Sequence, residues 1–339
     1  MKTVQELEAK LAEPSAALVK EIAELDGDIM LLGVGGKMGP SLARLAMNAI
    51  KEAGVSKKVI GASRFSSGTL KEELEADGVE TITVDLLNDD QLQALPDVKN
   101  IIYMAGNKFG TKGNEHFTWA MNAYLPGRVA EKYKNSRIVA FSTGNIYPLT
   151  RVIDGGATEA GTSPNPNGEY GQSSLGRERV FEYFSHKYGT PLSIFRLNYA
   201  IDLRYGVLLE IARAVKEGRE VDVTMGHANV IWQGDANEMA IRSLTVASNP
   251  PNVLNVTGPE TISLRWVAKE FASRFGLEAK IVGQEADTAL LSNSTKAMKT
   301  FGYPRVSLMQ MIDWIAEWVE ADGATWDKPT HFQEREGNY

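Results

Sequence analysis

Cysteine is absent from the 339 residues, and histidine occurs four times. Without cysteine there is no disulfide, no thiol nucleophile and no thiolate-held zinc. The histidines, His116, His186, His227 and His331, show no metal-ligand spacing, so no metal is expected. Long apolar runs are also missing: nothing approaches the roughly 18–20 residues of a membrane-spanning helix. Acidic residues outnumber basic ones, 43 to 36, and the net charge is −7. With no Lys/Arg run, the chain carries no electrostatic footprint for nucleic acid and nothing that seeks an anionic membrane. The N-terminal stretch MKTVQELEAKLAEPSAALVKEIAELDG is acidic and amphipathic. It lacks the apolar centre of a signal peptide, so a cytoplasmic protein is expected.

What is present is a hydrophobic content of 43%, enough for one large domain or two modest ones. Through the first two thirds, short apolar runs alternate with helix-patterned segments. DIMLLGV, KKVIGAS, ETITVDL, VKNIIYMAG, SRIVAFSTG, PLSIFRLN and NVLNVTG read as strands. The first helix, SLARLAMNAIKEAG, has Pro40 near its start and Gly54 at its end, as helix-boundary chemistry favours. This alternation predicts βαβ units, hence a doubly wound parallel sheet covered on both faces. After about residue 200 the pattern becomes a set of amphipathic helices, and the last segment, DGATWDKPTHFQEREGNY, reads as irregular.

The run LLGVGGKMGPSL places Gly33, Gly36 and Gly39 three apart, with Gly35, Lys37 and Met38 between them. It follows a strand and opens a helix, the setting of a phosphate-cradling loop. GGKMG is similar over five residues to the glycine loop of dihydrodipicolinate reductases, but that likeness stops there. At the end of the second strand, Ser63 takes the place where an acidic side chain would bind the ribose of NAD, and Arg64 follows. Arginine pairs well with a 2′-phosphate, so NADP is favoured over NAD.

These residues resemble the extended short-chain dehydrogenase/reductase family, in its NAD(P)-dependent epimerase/dehydratase branch, over roughly residues 28–320. The resemblance implies a Rossmann-type α/β domain over 28–202, with 227–258 returning to it. It implies a smaller, mostly helical substrate domain from 203–226 and 259–322. Residues 1–27 would be a helical extension and 323–339 a tail. VDLLND and YMAGN would set Asp85, Leu86, Ala105 and Gly106 along the cofactor, and Asn122 would be the characteristic asparagine of the next helix. VAFSTGNIYP would supply Thr143 as the catalytic hydroxyl, next to Ser142, and EYGQSSLGRER would supply Tyr170 as acid/base. Asn198 and Tyr199 in FRLNYA would face nicotinamide or substrate. A homodimer through the helices near 115–133 and 170–187 is a family-level expectation.

One departure stands out. The family has lysine four residues after the tyrosine, and this chain has Ser174. A phenol with a pKa of about 10 is ionised to about one part in a thousand at pH 7. A cation about 4 Å away, at an effective dielectric near 20, could supply on the order of 4 kcal/mol. Ser174 lies on the right helical face but has no charge; a hydrogen bond to ribose is its available role. The later pair Tyr183 and Lys187 begins about 20 Å further along the same helix and does not serve. Lys108 is the first candidate replacement, ahead of Arg177. On the substrate side, Lys108, Phe109, Asn198, Arg204, His227, Trp232 and Gln233 are candidates, each with a packing role as the competing reading. The expected function is hydride transfer at a hydroxyl carbon of a sugar or sugar derivative. The alternative is a catalytically impaired NADP(H)-sensing protein on the same fold.

Overall fold

The computed structural model describes residues 1–66, 68–108 and 110–337. Seven strands form one sheet: β1 Ile29–Leu32, β2 Val59–Ser63, β3 Glu80–Thr83, β4 Asn100–Tyr103, β5 Arg137–Thr143, β6 Leu192–Leu197 and β7 Asn252–Val256. Their order is β7-β6-β5-β4-β1-β2-β3, with every neighbour pair parallel. Strand order therefore reverses between β1 and β4, and ligands of such sheets bind at that reversal, beyond the carboxyl ends.

The continuous apolar character of β1 has a direct cause. Ile29 and Leu31 pack on one face of the sheet and Met30 and Leu32 on the other. Both faces are covered, so both sets of the two-residue alternation must be apolar. Helix α3, Gly39–Ala53, follows β1 and covers the first face; Gly54 ends it at φ 66°. Helix α4, Gly168–Tyr188, covers the second face with Phe181. Beyond the sheet, α5 (Val207–Lys216), α7 (Leu264–Phe275) and α8 (Leu308–Glu320) enclose a separate core containing Trp232.

The first residues form α1, Val4–Leu11, and α2, Ala16–Glu24. Thr3 and Glu6 make a reciprocal capping box for α1, and Ser15 caps α2. Leu7 and Leu11 enter the core of the C-terminal helices, whereas Leu18 and Ile22 enter the core under the sheet. Helix α6, Gln233–Arg242, is buried along its whole length despite its polar sequence. The N-terminal helices satisfy much of it: Ser15 N donates to Glu238 at 3.2 Å, and Arg242 donates to Glu21 at 2.7 Å. A buried charge without a partner is costly, which explains why the extension is seated there.

Among the described residues after α8 there is no helix or strand, yet several are packed. Thr330 and Phe332 are buried, Trp326 N donates to the Arg204 carbonyl, and Arg335 donates to Thr288. Gly337 lies against Gly168 at the start of α4. No helix among the described residues is long and apolar enough to cross a membrane.

Candidate active site

A cleft of about 1190 Å³, counting its open mouth, lies beyond the carboxyl ends of β1, β4, β5 and β6. Gly33, Gly36, Lys37 and Met38 form one wall. Gly33 has φ 95°, and a Cβ there would lie 2.7 Å from Ala105 N. At Gly39 a Cβ would lie 2.1 Å from the Val34 carbonyl oxygen, so the third glycine lets the helix start press against the loop. Gly35 abuts Ser63, whose Oγ lies 2.5 Å from where a Cβ would stand. Arg64 is exposed and makes no ion pair among the described residues. Asp85 is exposed too; its carboxylate accepts from Leu87 N at 3.0 Å and closes a turn, while Leu86 and Ala105 are buried. Gly106 lines the cleft.

Lys37 does not extend into solvent. Its Nζ crosses the cleft, donates to the Ala200 carbonyl at 3.2 Å and stands 3.9 Å from the Tyr205 ring centre. Burial pushes its ammonium down to about 8, against the pull of Asp202 and with help from Lys108 and Arg204. Lys108 follows β4 and lies with its Nζ 5.8 Å from the ring centre of Tyr170. Burial holds it near 8 as well, opposed by Glu210.

Tyr170, one of the first residues of α4, lines the cleft with Ser142 and Thr143 from the end of β5. The Thr143 hydroxyl accepts from Asn145 N at 3.2 Å. Ser142 Oγ instead donates to Glu178, which Arg196 holds bidentately at 3.0 and 2.7 Å. Arg196 also donates to Tyr147, which donates to Asn255 at 3.0 Å. This buried network ties α4 to β5, β6 and β7; both hydroxyls line the cleft, but Ser142 is tied to Glu178 while Thr143 has no acidic partner among the described residues.

Asn122 sits in a π-helical turn, Ala120–Tyr124, and is fully buried. Its amide donates to the Asn107 carbonyl and Ser173 Oγ and accepts from Asn107 N and Arg177. All four of its hydrogen-bonding positions are taken. It therefore holds the loop after β4 against α4. Such turns are frequent at functional sites.

Ser174 is likewise fully buried, is not among the cleft's lining residues, and its Oγ finds no acceptor or donor among the described residues. The expected hydrogen bond from Ser174 to a ribose is not what the structure offers. Asn198 and Tyr199 line the cleft; Tyr199 holds φ 44°, a strained value for a bulky residue of the kind that clusters at functional sites.

Of the remaining substrate-side candidates, Arg204 lines a cavity beside the glycine loop with Lys37, Lys108 and Tyr205, and His227, Trp232 and Gln233 are not on the cleft wall. Arg204 turns to Asp202 at 2.9 Å and Glu8 at 2.6 Å, because α1 brings a carboxylate to it. His227 pairs in a short antiparallel bridge with Ser263. Burial pushes its imidazole down. Trp232 is in the C-terminal core, its ring 5.4 Å from that of Trp314. Gln233 donates to Ser41 on α3 at 2.9 Å. Phe109 lies outside the described residues. Sequence reasoning missed Tyr205, Asn107, Asn145 and Thr330, all on the cleft wall. Burial, with Glu210 and Tyr170 nearby, pushes the Tyr205 phenol up. Thr330 could not have been found, since only the folded tail brings it there.

Residues 29–230 match the model of the family described as NAD dependent epimerase/dehydratase. No curated protein sequence matches the chain significantly. Among solved structures, UDP-glucose 4-epimerase of Thermotoga maritima with UDP-glucose is similar at 17% identity and TM-score 0.69, over 87% of this chain and 99% of that one. dTDP-glucose 4,6-dehydratase of Bacillus anthracis with NAD is similar at 16% identity and TM-score 0.72, over 87% and 97%. UDP-glucuronic acid 4-epimerase of Bacillus cereus with NAD and a fluorinated substrate analogue is similar at 18% identity and TM-score 0.69, over 87% and 99%.

Proposed function

Since the chain belongs to the NAD dependent epimerase/dehydratase family, we propose that it acts by hydride transfer at a hydroxyl-bearing carbon of a sugar or sugar derivative. The observation that carries this reading is the shared wall of Thr143, Tyr170, Asn198 and Tyr199 beside a glycine loop at the sheet's reversal point. The residues suit a nicotinamide dinucleotide: the loop's missing Cβ atoms leave the backbone free to approach a pyrophosphate. When bound, the nicotinamide supplies the hydride acceptor. Tyr170 takes the substrate's hydroxyl proton and can return it. Thr143 hydrogen-bonds the same oxygen and orients it. Lys108 adds positive charge beside the phenol and the leaving proton.

At the adenosine end, Ser63 in place of a carboxylate and the exposed Arg64 support NADP over NAD; comparative binding of NADPH and NADH checks this. The dTDP-glucose dehydratase and UDP-glucuronic acid epimerase structures contain NAD, so the preference is a point of difference to be measured. Trp119, Tyr124 and Tyr183 are exposed on helices that pack side by side, which supports a homodimer through this face.

The test is turnover of UDP-glucose, UDP-glucuronic acid, dTDP-glucose and unactivated hexoses by the purified chain, with and without added cofactor. Tyr170→Phe should lower the rate on the accepted substrate by roughly 10²–10⁴-fold, the usual range for general acid–base catalysis, while leaving cofactor binding nearly unchanged. Intact turnover in that variant removes the mechanism.

A further inference from the structure

Arg177 is buried, and among the described residues it has no ion pair. Its charge is met by oxygen dipoles and by the ring of Tyr103, whose centre lies 5.9 Å from Cζ. Nε donates to the Asn122 carbonyl at 3.4 Å, Nη1 to the Phe141 carbonyl at 2.9 Å and Nη2 to Asn122 Oδ1 at 2.7 Å. An arginine carries five N–H groups in a fixed fork, so these three bonds leave two without a protein acceptor among the described residues. The same side chain lines the cleft. It sits under the strand end of β4, where a Cβ on Gly106 would fall 2.5 Å from Nη2. A buried, unpaired guanidinium is costly unless something supplies acceptors, and the cleft is the side on which those acceptors can arrive.

Its place in the fold says which part of a dinucleotide they belong to. The adenosine end lies by β2 and the pyrophosphate over the loop after β1. Arg177 touches the ends of β4 and β5, on the side of Tyr170 and Thr143, and so belongs to the nicotinamide half. It stands seven residues after Tyr170, with Ser174 between them on one face of α4. The hydroxyl of Ser174 is buried and unpartnered among the described residues, so the serine side chain itself contributes nothing to the cleft.

We propose that Arg177 is a cofactor-binding residue that donates its two remaining N–H groups to the hydroxyls of the nicotinamide-side ribose, supplying from one turn further along α4 what Ser174 cannot. This rests on the reading of the cleft as a nicotinamide-dinucleotide site. Glycine at 106 is part of the arrangement, since any side chain there would displace the fork.

The test needs no substrate. Three ligands are titrated against the full chain: the tighter of NADPH and NADH, the matching fragment that ends at the nicotinamide-side ribose, and the matching fragment that ends at the pyrophosphate. Arg177→Met should weaken the first two by about tenfold or more, the loss of charge-assisted hydrogen bonds, and leave the third unchanged. A structural collapse would weaken all three alike. Equal loss across the ligands, or no loss, overturns the assignment. Arg177→Lys, which keeps the charge but not the fork, should give a smaller loss with the same pattern and serves if the methionine variant does not fold. Adding Ser174→Lys to Arg177→Met should recover affinity for the two ribose-bearing ligands. If the unaltered chain binds none of the three, the cofactor site itself fails and the assignment goes with it.

Discussion

Lys37 shows how a residue's role changes between sequence and structure. From its place in the glycine loop, its side chain could equally add charge beside a phosphate or extend into solvent. In the fold it crosses the cleft to Ala200 and stacks over Tyr205. Its ammonium and that of Lys108 are each pushed down to about 8, first by burial. Folding thus disfavours their charged forms, so their cost to stability is fully present below about pH 8. It fades as pH rises toward the ordinary lysine value, where the unfolded chain also loses the proton. Binding has the opposite sign. Below about 8 both ammoniums are charged and attract an anionic dinucleotide; above it the free chain must take up protons to bind. Affinity for NADPH or NADH should therefore fall as pH rises above about 8, and Lys37→Met should flatten that fall in a titration calorimetry series. An affinity that is level across this range in the unaltered chain counts against a phosphate-facing role for these lysines.

At the scale of elements, α4 does two jobs on two faces. Tyr170 and Arg177 face the cleft, and Glu178 faces the sheet, where it takes hydrogen bonds from Ser142 and Arg196. The motif FSTGNIYP and the helix EYGQSSLGRERVF were legible as neighbours in the sequence through their resemblance, in order and spacing, to the family's motifs. Their packing partner, Arg196, was not legible, since it comes from another strand and its charge could equally have met solvent. Removing one member of a buried ion pair leaves the other unpaired and typically costs about 3–5 kcal/mol. Glu178→Ala should lower stability by that order in urea unfolding, with Arg196 left among Tyr147 and apolar groups. A change below about 1 kcal/mol, the size of an exposed pair, would show that water reaches the network.

For the molecule as a whole, the paired helices beneath Trp119, Tyr124 and Tyr183 should mediate a homodimer. Gly127 and Gly176 already bring these helices close, with Cβ positions 3.2 Å from Val180 and 3.3 Å from Ala123. Sedimentation should give twice the chain's 37.1 kDa, and Tyr183→Glu should shift the equilibrium toward monomer; a monomer at high concentration without substitution refutes the contact. The sequence by itself determined the parallel sheet and the glycine loop, because these rest on local chemistry: apolar runs that must be covered on both faces, and backbone turns that glycine allows. Only the tertiary structure decided which charges remain available to a ligand. Arg204, Trp232 and Gln233 look like site residues in one dimension, yet α1, α8 and α3 bring partners that absorb them. Arg177 reads in one dimension only as a second choice for the missing cation, yet folding buries it with no carboxylate partner among the described residues. Charge compensation depends on groups distant in sequence, and spacing along the chain carries no record of them.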